Sequence, residues 1–167
     1  IDVLDRLSQL GGTTLSDLAE DLDQSAATVY RTLYTFEARG FVDFEPDSQT
    51  WHIGARAFHV GARFLRRTSL VERARPVLRS LMRETGETAN LAIAREGQVL
   101  FVSQVETHES IRAFFPPGTM SPMHASGIGK ALLAQMPAED VAQIVSQYGL
   151  QRFTRYTLVN EGTLTAE

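Results

Sequence analysis

The stretch from Ser25 to Val42, SAATVYRTLYTFEARGFV, constrains this chain more than any other. Val29, Leu33 and Phe36 recur at helical spacing and make one apolar stripe, while Thr28, Arg31, Thr32 and Thr35 fall on other faces. The pattern predicts a helix that starts on Ser25 and stops on Gly40. A shorter helix precedes it. Thr14 caps that helix, Asp17 completes a capping-box-like pair, and Leu15, Leu18, Ala19 and Leu22 form its apolar side. Asp23-Gln24 makes a tight turn between the two. Two short helices, a small turn and a polar-faced second helix form a helix-turn-helix. An amphipathic pair that only buries one face would read the same way, so the next segment matters. Phe41 to Glu45 alternates like a strand, Pro46-Asp47-Ser48-Gln49 reads as a turn, and Thr50 to Ile53 returns. A hairpin directly after the second helix is a wing, and the combination is more specific than either part.

Before this unit, Ile1 to Leu10 reads as a helix with Val3, Leu4, Leu7 and Leu10 inward and Gly11-Gly12 as its stop. After it, Gly54 to Thr68 reads as a connector helix. Ala57, Phe58, Gly61, Phe64 and Leu65 give that helix a stripe suited to pairing with another helix. Leu70 to Thr85 is a further helix, in which Pro76 either makes a kink or marks a late start.

The second half changes character. Thr88 to Arg95 and Val99 to Val105 flank Glu96-Gly97-Gln98 as a β-hairpin. Ser110 to Phe115 is a third expected strand, ended by Pro116-Pro117-Gly118. Helices are expected from Gly127 to Gln135 and from Pro137 to Tyr148, followed by a polar tail. The fold class is α+β with mostly antiparallel pairing. The expected division is a winged helix-turn-helix over 1–53, a connector helix over 54–68 and an incomplete second domain over 69–167.

Composition narrows the functions. With 167 residues and 43% hydrophobic content the chain is globular. It has no cysteine, which excludes disulfides and thiolate zinc sites and suits a cytoplasmic protein. No apolar run approaches the roughly 20 residues of a membrane span, so no membrane partner is expected. A first residue other than Met points to a segment cut from a longer chain, and the end carries no stop signal. The net charge is −4 at pH 7. Up to Ile53 the only basic residues are Arg6, Arg31 and Arg39, against ten acids. Eight arginines then follow from Arg56 to Arg83, with Glu72 the only acid among them. The basic zone is thus the connector; its first part, Arg56 to Arg67, is placed to help with phosphates or an acidic surface.

Enzyme chemistry finds little support. His52, His59, His108 and His124 include no His-x-x-x-His pair. His124-Ala125-Ser126-Gly127 is not a nucleophile elbow. Gly129-Lys130 lacks the first glycine and the Ser or Thr of a phosphate-binding loop. Neither catalysis nor a cofactor is expected. The segment PPGTMSPMHASGIGKALLA does bring Ser126, Gly127, Ile128 and Gly129 to a helix start, where unpaired N–H groups suit a small anion. Simple capping by Ser126, with glycines for packing, is the alternative reading.

The winged unit with SAATVYRTLYTFEARGFV, the connector and above all PMHASGIGKALLA resemble the IclR family of bacterial transcription regulators. The resemblance covers the whole chain, and the family's second domain normally continues beyond Glu167. It implies a DNA operator as partner, dimers or dimers of dimers, and a GAF-like second domain that binds a small organic acid. DNA contacts are expected from Ser25, Thr28, Arg31 and Thr32, at the start of the second helix. The effector carboxylate is expected on the amides of Gly127 and Ile128, with Ala113, Ser121 and Met123 nearby. The family's apolar pocket walls fall on Ser110, Ala113 and Ser121, smaller and more polar here. The subgroup with this segment includes glyoxylate-responsive regulators, so glyoxylate or a related 2-oxo acid is the expected ligand. A winged helix used for protein contacts is the alternative, favoured by the acidic N-terminal half.

Overall fold

The computed structural model describes residues 1–107 and 115–166. They form two compact units, Ile1–Thr68 and Ser69–Glu167.

In the first unit, α1 (Asp2–Leu10) is followed by β1 (Thr13–Thr14), α2 (Leu15–Asp21), α3 (Ala26–Glu37), β2 (Val42–Glu45), β3 (Thr50–Ile53) and α4 (Ala55–Thr68). The strands form one antiparallel sheet in the order β1-β3-β2, with Phe44 opposite Trp51 and Thr13 on its other side. The two-residue strand β1 went unseen in the sequence because its length carries no alternation. The core is Val3, Leu7, Leu18, Ala19, Val29, Leu33, Val42 and Trp51. Leu10, expected inward, is exposed: it is the last residue of α1, next to the left-handed Gly11 cap and outside the core that Val3 and Leu7 enter.

Local chemistry fixes the helix ends. Thr14 accepts the Asp17 amide at 3.3 Å, but Asp17 does not reach back to the Thr14 backbone as a full capping box would. Its carboxylate accepts the Thr14 hydroxyl instead, at 2.7 Å. The expected stop at Gly40 is a Schellman closure. Gly40 has φ 71°, its amide donates to the Glu37 carbonyl, and the Phe41 amide donates to the Phe36 carbonyl. The Phe36 and Phe41 rings meet at 6.3 Å, the apolar contact that accompanies this motif. Arg6 of α1 forks onto Asp21 of α2, with Nη2 donating to Oδ1 at 2.6 Å. That hydrogen bond, helped by the guanidinium charge, holds the Asp21 carboxyl below its ordinary range.

The second unit begins with α5 (Leu70–Thr85), in which Pro76 is accommodated inside one continuous helix. The hairpin β4 (Ala89–Arg95) and β5 (Gln98–Val105) turns on Glu96 and Gly97, both with positive φ. Its register is interrupted by a bulge between Leu91 and Ala92. The third strand is β6 (Met120–Pro122), which pairs with β5 so that Ser121 faces Val99. The strand expected over 110–115 lies outside the described residues except for Phe115, which belongs to no strand and stacks on Phe101 at 4.8 Å. A 3₁₀ turn (Met123–Ala125) leads into α6 (Gly127–Leu133) and α7 (Ala138–Tyr148). The expected polar tail ends in α8 (Glu161–Ala166), capped by Asn160 and anchored by buried Leu164. Val99, Phe101, Met123, Leu133, Val141 and Leu164 make the core. The mixed helix and sheet content is that of an α+β chain.

Candidate nucleic-acid interface and effector site

Ser25 begins α3 as its N-cap: its hydroxyl accepts the Thr28 amide at 3.2 Å and lies 2.9 Å from the Thr28 hydroxyl. Burial of Val29 and Leu33 turns the opposite side of the helix outward. Thr28, Arg31 and Thr32 share that side with Thr35 and the edge of Phe36, around a shallow groove of about 320 Å³. Ser25 stands at its N-terminal end. The hydroxyls of Thr32 and Thr35 donate back to the carbonyls of Thr28 and Arg31, at 3.0 and 2.8 Å. Those bonds order the face and leave the Arg31 guanidinium as its charged donor. Thr35, grouped with these residues by its spacing but not among the expected DNA contacts, lies on the same side.

The expected effector residues have different surroundings. Ser126 caps α6 by accepting the Gly129 amide at 3.0 Å, and the first intrahelical bond runs from the Lys130 amide to the Ser126 carbonyl. The amides of Gly127 and Ile128 precede that bond, so the helix gives them no carbonyl partner. Gly127 is exposed, with open space where a Cβ would stand. Ile128 packs half-buried against the core. Met123 is 1% exposed and belongs to that core, so it supports the turn from below. Ala113 and Ser110 lie outside the described residues.

Ser121 instead lines a cavity of about 270 Å³ with His124, Lys130 and the segment 153–158. The His124 Nε2 lies 2.9 Å from the Gln151 carbonyl, which can only accept, so this nitrogen carries the proton. Thr157 fastens the same segment by accepting the amides of Phe153 and Thr154. Nothing in the spacing of QRFTRYTL signals this fold-back, because its partners are distant in sequence. Among the described residues no cluster of His, Asp or Glu could hold a metal ion, and no helix is long and apolar enough to cross a membrane.

Comparison with known proteins places both regions. Residues 1–46 match the model of the IclR helix-turn-helix domain, and residues 62–167 match that of the bacterial transcriptional regulator IclR C-terminal region. The chain is 50% identical, over its full length, to the HTH-type transcriptional regulator BhcR of Paracoccus denitrificans, of which it covers 60%. It spans about 60% of the length of the curated relatives it matches. A putative IclR transcriptional regulator from Silicibacter shares the fold with a TM-score of 0.83 at 23% identity, over 99% of this chain and 65% of that one. A double mutant of the PobR inducer-binding domain from Acinetobacter, in complex with 3-hydroxybenzoic acid, matches with a TM-score of 0.51 at 28% identity. That likeness covers 58% of each chain.

Proposed function

We propose a function on one premise: the chain belongs to the IclR family of bacterial transcriptional regulators. The protein binds a duplex operator through its first unit, and a small carboxylate bound by its second unit sets the affinity. The observation that carries the DNA half is the exposed, hydrogen-bond-ordered face of α3, with Ser25 at its start and Thr28, Arg31 and Thr32 along it. A helix presenting such a face fits the major groove, where Arg can reach a guanine edge or a phosphate.

Support for the effector half is the start of α6, where Gly127 and Ile128 hold amides without helical partners and Gly127 leaves room for close approach. Ser121 and Lys130 stand on the neighbouring cavity. The PobR domain that shares this fold is held with a carboxylic acid, which favours the same ligand class here. Within that class we assign glyoxylate or a related 2-oxo acid, on the SGIGKA segment.

Residues 1–53 serve as the reader, 54–68 as connector and 69–167 as part of the effector domain, in a cytoplasmic homo-oligomer. A gel shift of the full-length protein on its own upstream region tests the reading. Retarded bands that respond to glyoxylate are expected; no band at any protein concentration refutes the DNA half.

A further inference from the structure

Two large aromatic side chains on α3 are not explained by its threonine and arginine face. Tyr30 and Tyr34 are 48% and 60% exposed, although they sit one turn apart on a helix with a complete core stripe. Their rings stack with centroids 6.3 Å apart. Tyr30 meets Trp51 of β3 edge-on at 6.5 Å, and Trp51 packs on Phe44 of β2 at 4.8 Å. The pair therefore stands on the wing side of α3, braced by the wing's own buried residue. Helical order places Tyr34 beside Arg31, at the i+3 position, and Tyr30 further round.

The hydroxyls on this helix are not equivalent. Those of Ser25, Thr28, Thr32 and Thr35 are engaged within α3 and its cap. The Tyr30 and Tyr34 hydroxyls have no hydrogen-bond partner among the described residues. Cations are scarce in the part of this unit that precedes α4. Of the three basic residues up to Ile53, Arg6 is tied to Asp21, which leaves Arg31 and Arg39. A helix lying in the major groove has phosphate walls along its flanks, and tyrosine hydroxyls are among the groups that bond phosphate oxygens.

We propose that the Tyr30 and Tyr34 hydroxyls donate to DNA phosphates, forming an uncharged clamp along the wing side of the groove-reading face. The proposal rests on α3 entering the major groove. An uncharged donor adds affinity without neutralising a phosphate, whereas the slope of affinity against salt follows the number of phosphates neutralised.

The test measures binding of the full-length protein by fluorescence anisotropy over a series of salt concentrations. The probes are a duplex of its own upstream region and a scrambled duplex of equal length. Tyr30→Phe and Tyr34→Phe remove only a hydroxyl from exposed rings. Each is expected to weaken both duplexes about tenfold, with the salt slope unchanged. Wild-type affinity in both variants overturns the clamp, and so does a loss confined to the upstream duplex, which marks a base contact. Arg31→Ala run in parallel separates the two readings. If it weakens binding while both tyrosine variants bind normally, only the clamp fails. If Arg31→Ala binds as wild type at every salt concentration, or the wild type binds no duplex, the groove placement falls and the clamp with it.

Discussion

Gly129 lies so close against Met123 that a Cβ on it would overlap the Met123 backbone, while one on Gly127, two residues earlier, would meet nothing within 4 Å. The first glycine of Gly-Ile-Gly-Lys is open to a visitor, and the second lets α6 rest on the 3₁₀ turn. Gly129→Ala must push the helix off that turn. It should cost about 1–3 kcal/mol, the range for overpacking a well-filled site. Gly127→Ala should leave stability unchanged or slightly raised. Urea unfolding of the two variants decides, and equal midpoints would contradict the assignment.

That division of labour could not be read from the sequence, which shows two glycines and a serine cap but not what stands opposite them. The helices and hairpins were legible because Val29, Leu33 and Phe36, or the alternation in Phe41 to Glu45, encode local periodicity. The Ser25 cap and the Gly40 stop were legible because each is a backbone requirement met by one residue type. Long-range contacts were not. Met123 reads as an apolar neighbour of a ligand loop, yet it is buried in the core. β6 has three residues and pairs across a loop, so no period marks it. The His124 contact to Gln151 spans 27 positions of chain.

The ion pair between Arg6 and Asp21 gives a pH prediction with a definite sign. The Asp21 carboxyl titrates lower in the folded chain than in the unfolded one, chiefly through the hydrogen bond from Arg6. The stabilisation is present above the ordinary carboxylate range and is lost as pH falls through the depressed folded value. Stability near neutral pH should therefore not depend on this pair's titration. An NMR titration of the Asp21 carboxyl should show a midpoint below the ordinary range in the wild type and an ordinary midpoint in Arg6→Ala. The same midpoint in both would refute the coupling.

Arg31 is the charged donor on the exposed face of α3. Replacing it with Ala should cost about 1–3 kcal/mol of operator binding if it reads a base, and should relax specificity at one position. Competition binding against single-base variants of the operator locates that position. An unchanged preference at every position would show that Arg31 reads no base.

Phe58 is 79% exposed on α4, at one end of the expected stripe Phe58, Gly61, Phe64 and Leu65. Lone exposed apolar residues are common, but a ring this exposed on an amphipathic helix suits a partner helix. Two-fold operators also call for two reading heads. Sedimentation of the full-length protein at micromolar concentration should show a dimer or larger species, and Phe58→Asp should shift it toward monomer. A wild-type protein that sediments as a monomer would remove the proposal.

The switch itself is tested at Gly127. A ligand changes DNA affinity only by the difference in its affinity for the two protein states, so weaker ligand binding must blunt the response. Gly127→Val places a branched side chain in the open space beside the amides of Gly127 and Ile128, where the carboxylate is assigned. A Cβ at this position meets no heavy atom within 4 Å, so folding and ligand-free DNA binding should survive. Calorimetric titration of the full-length protein with glyoxylate should give clear heats for the wild type and weaker binding for Gly127→Val. A gel shift should show the variant binding its operator with little response to the acid. Equal glyoxylate affinity in the two proteins would move the site away from the start of α6. Heat from pyruvate or another 2-oxo acid, with none from glyoxylate, would keep the site and change the ligand. Silence with every such acid would exclude the ligand class.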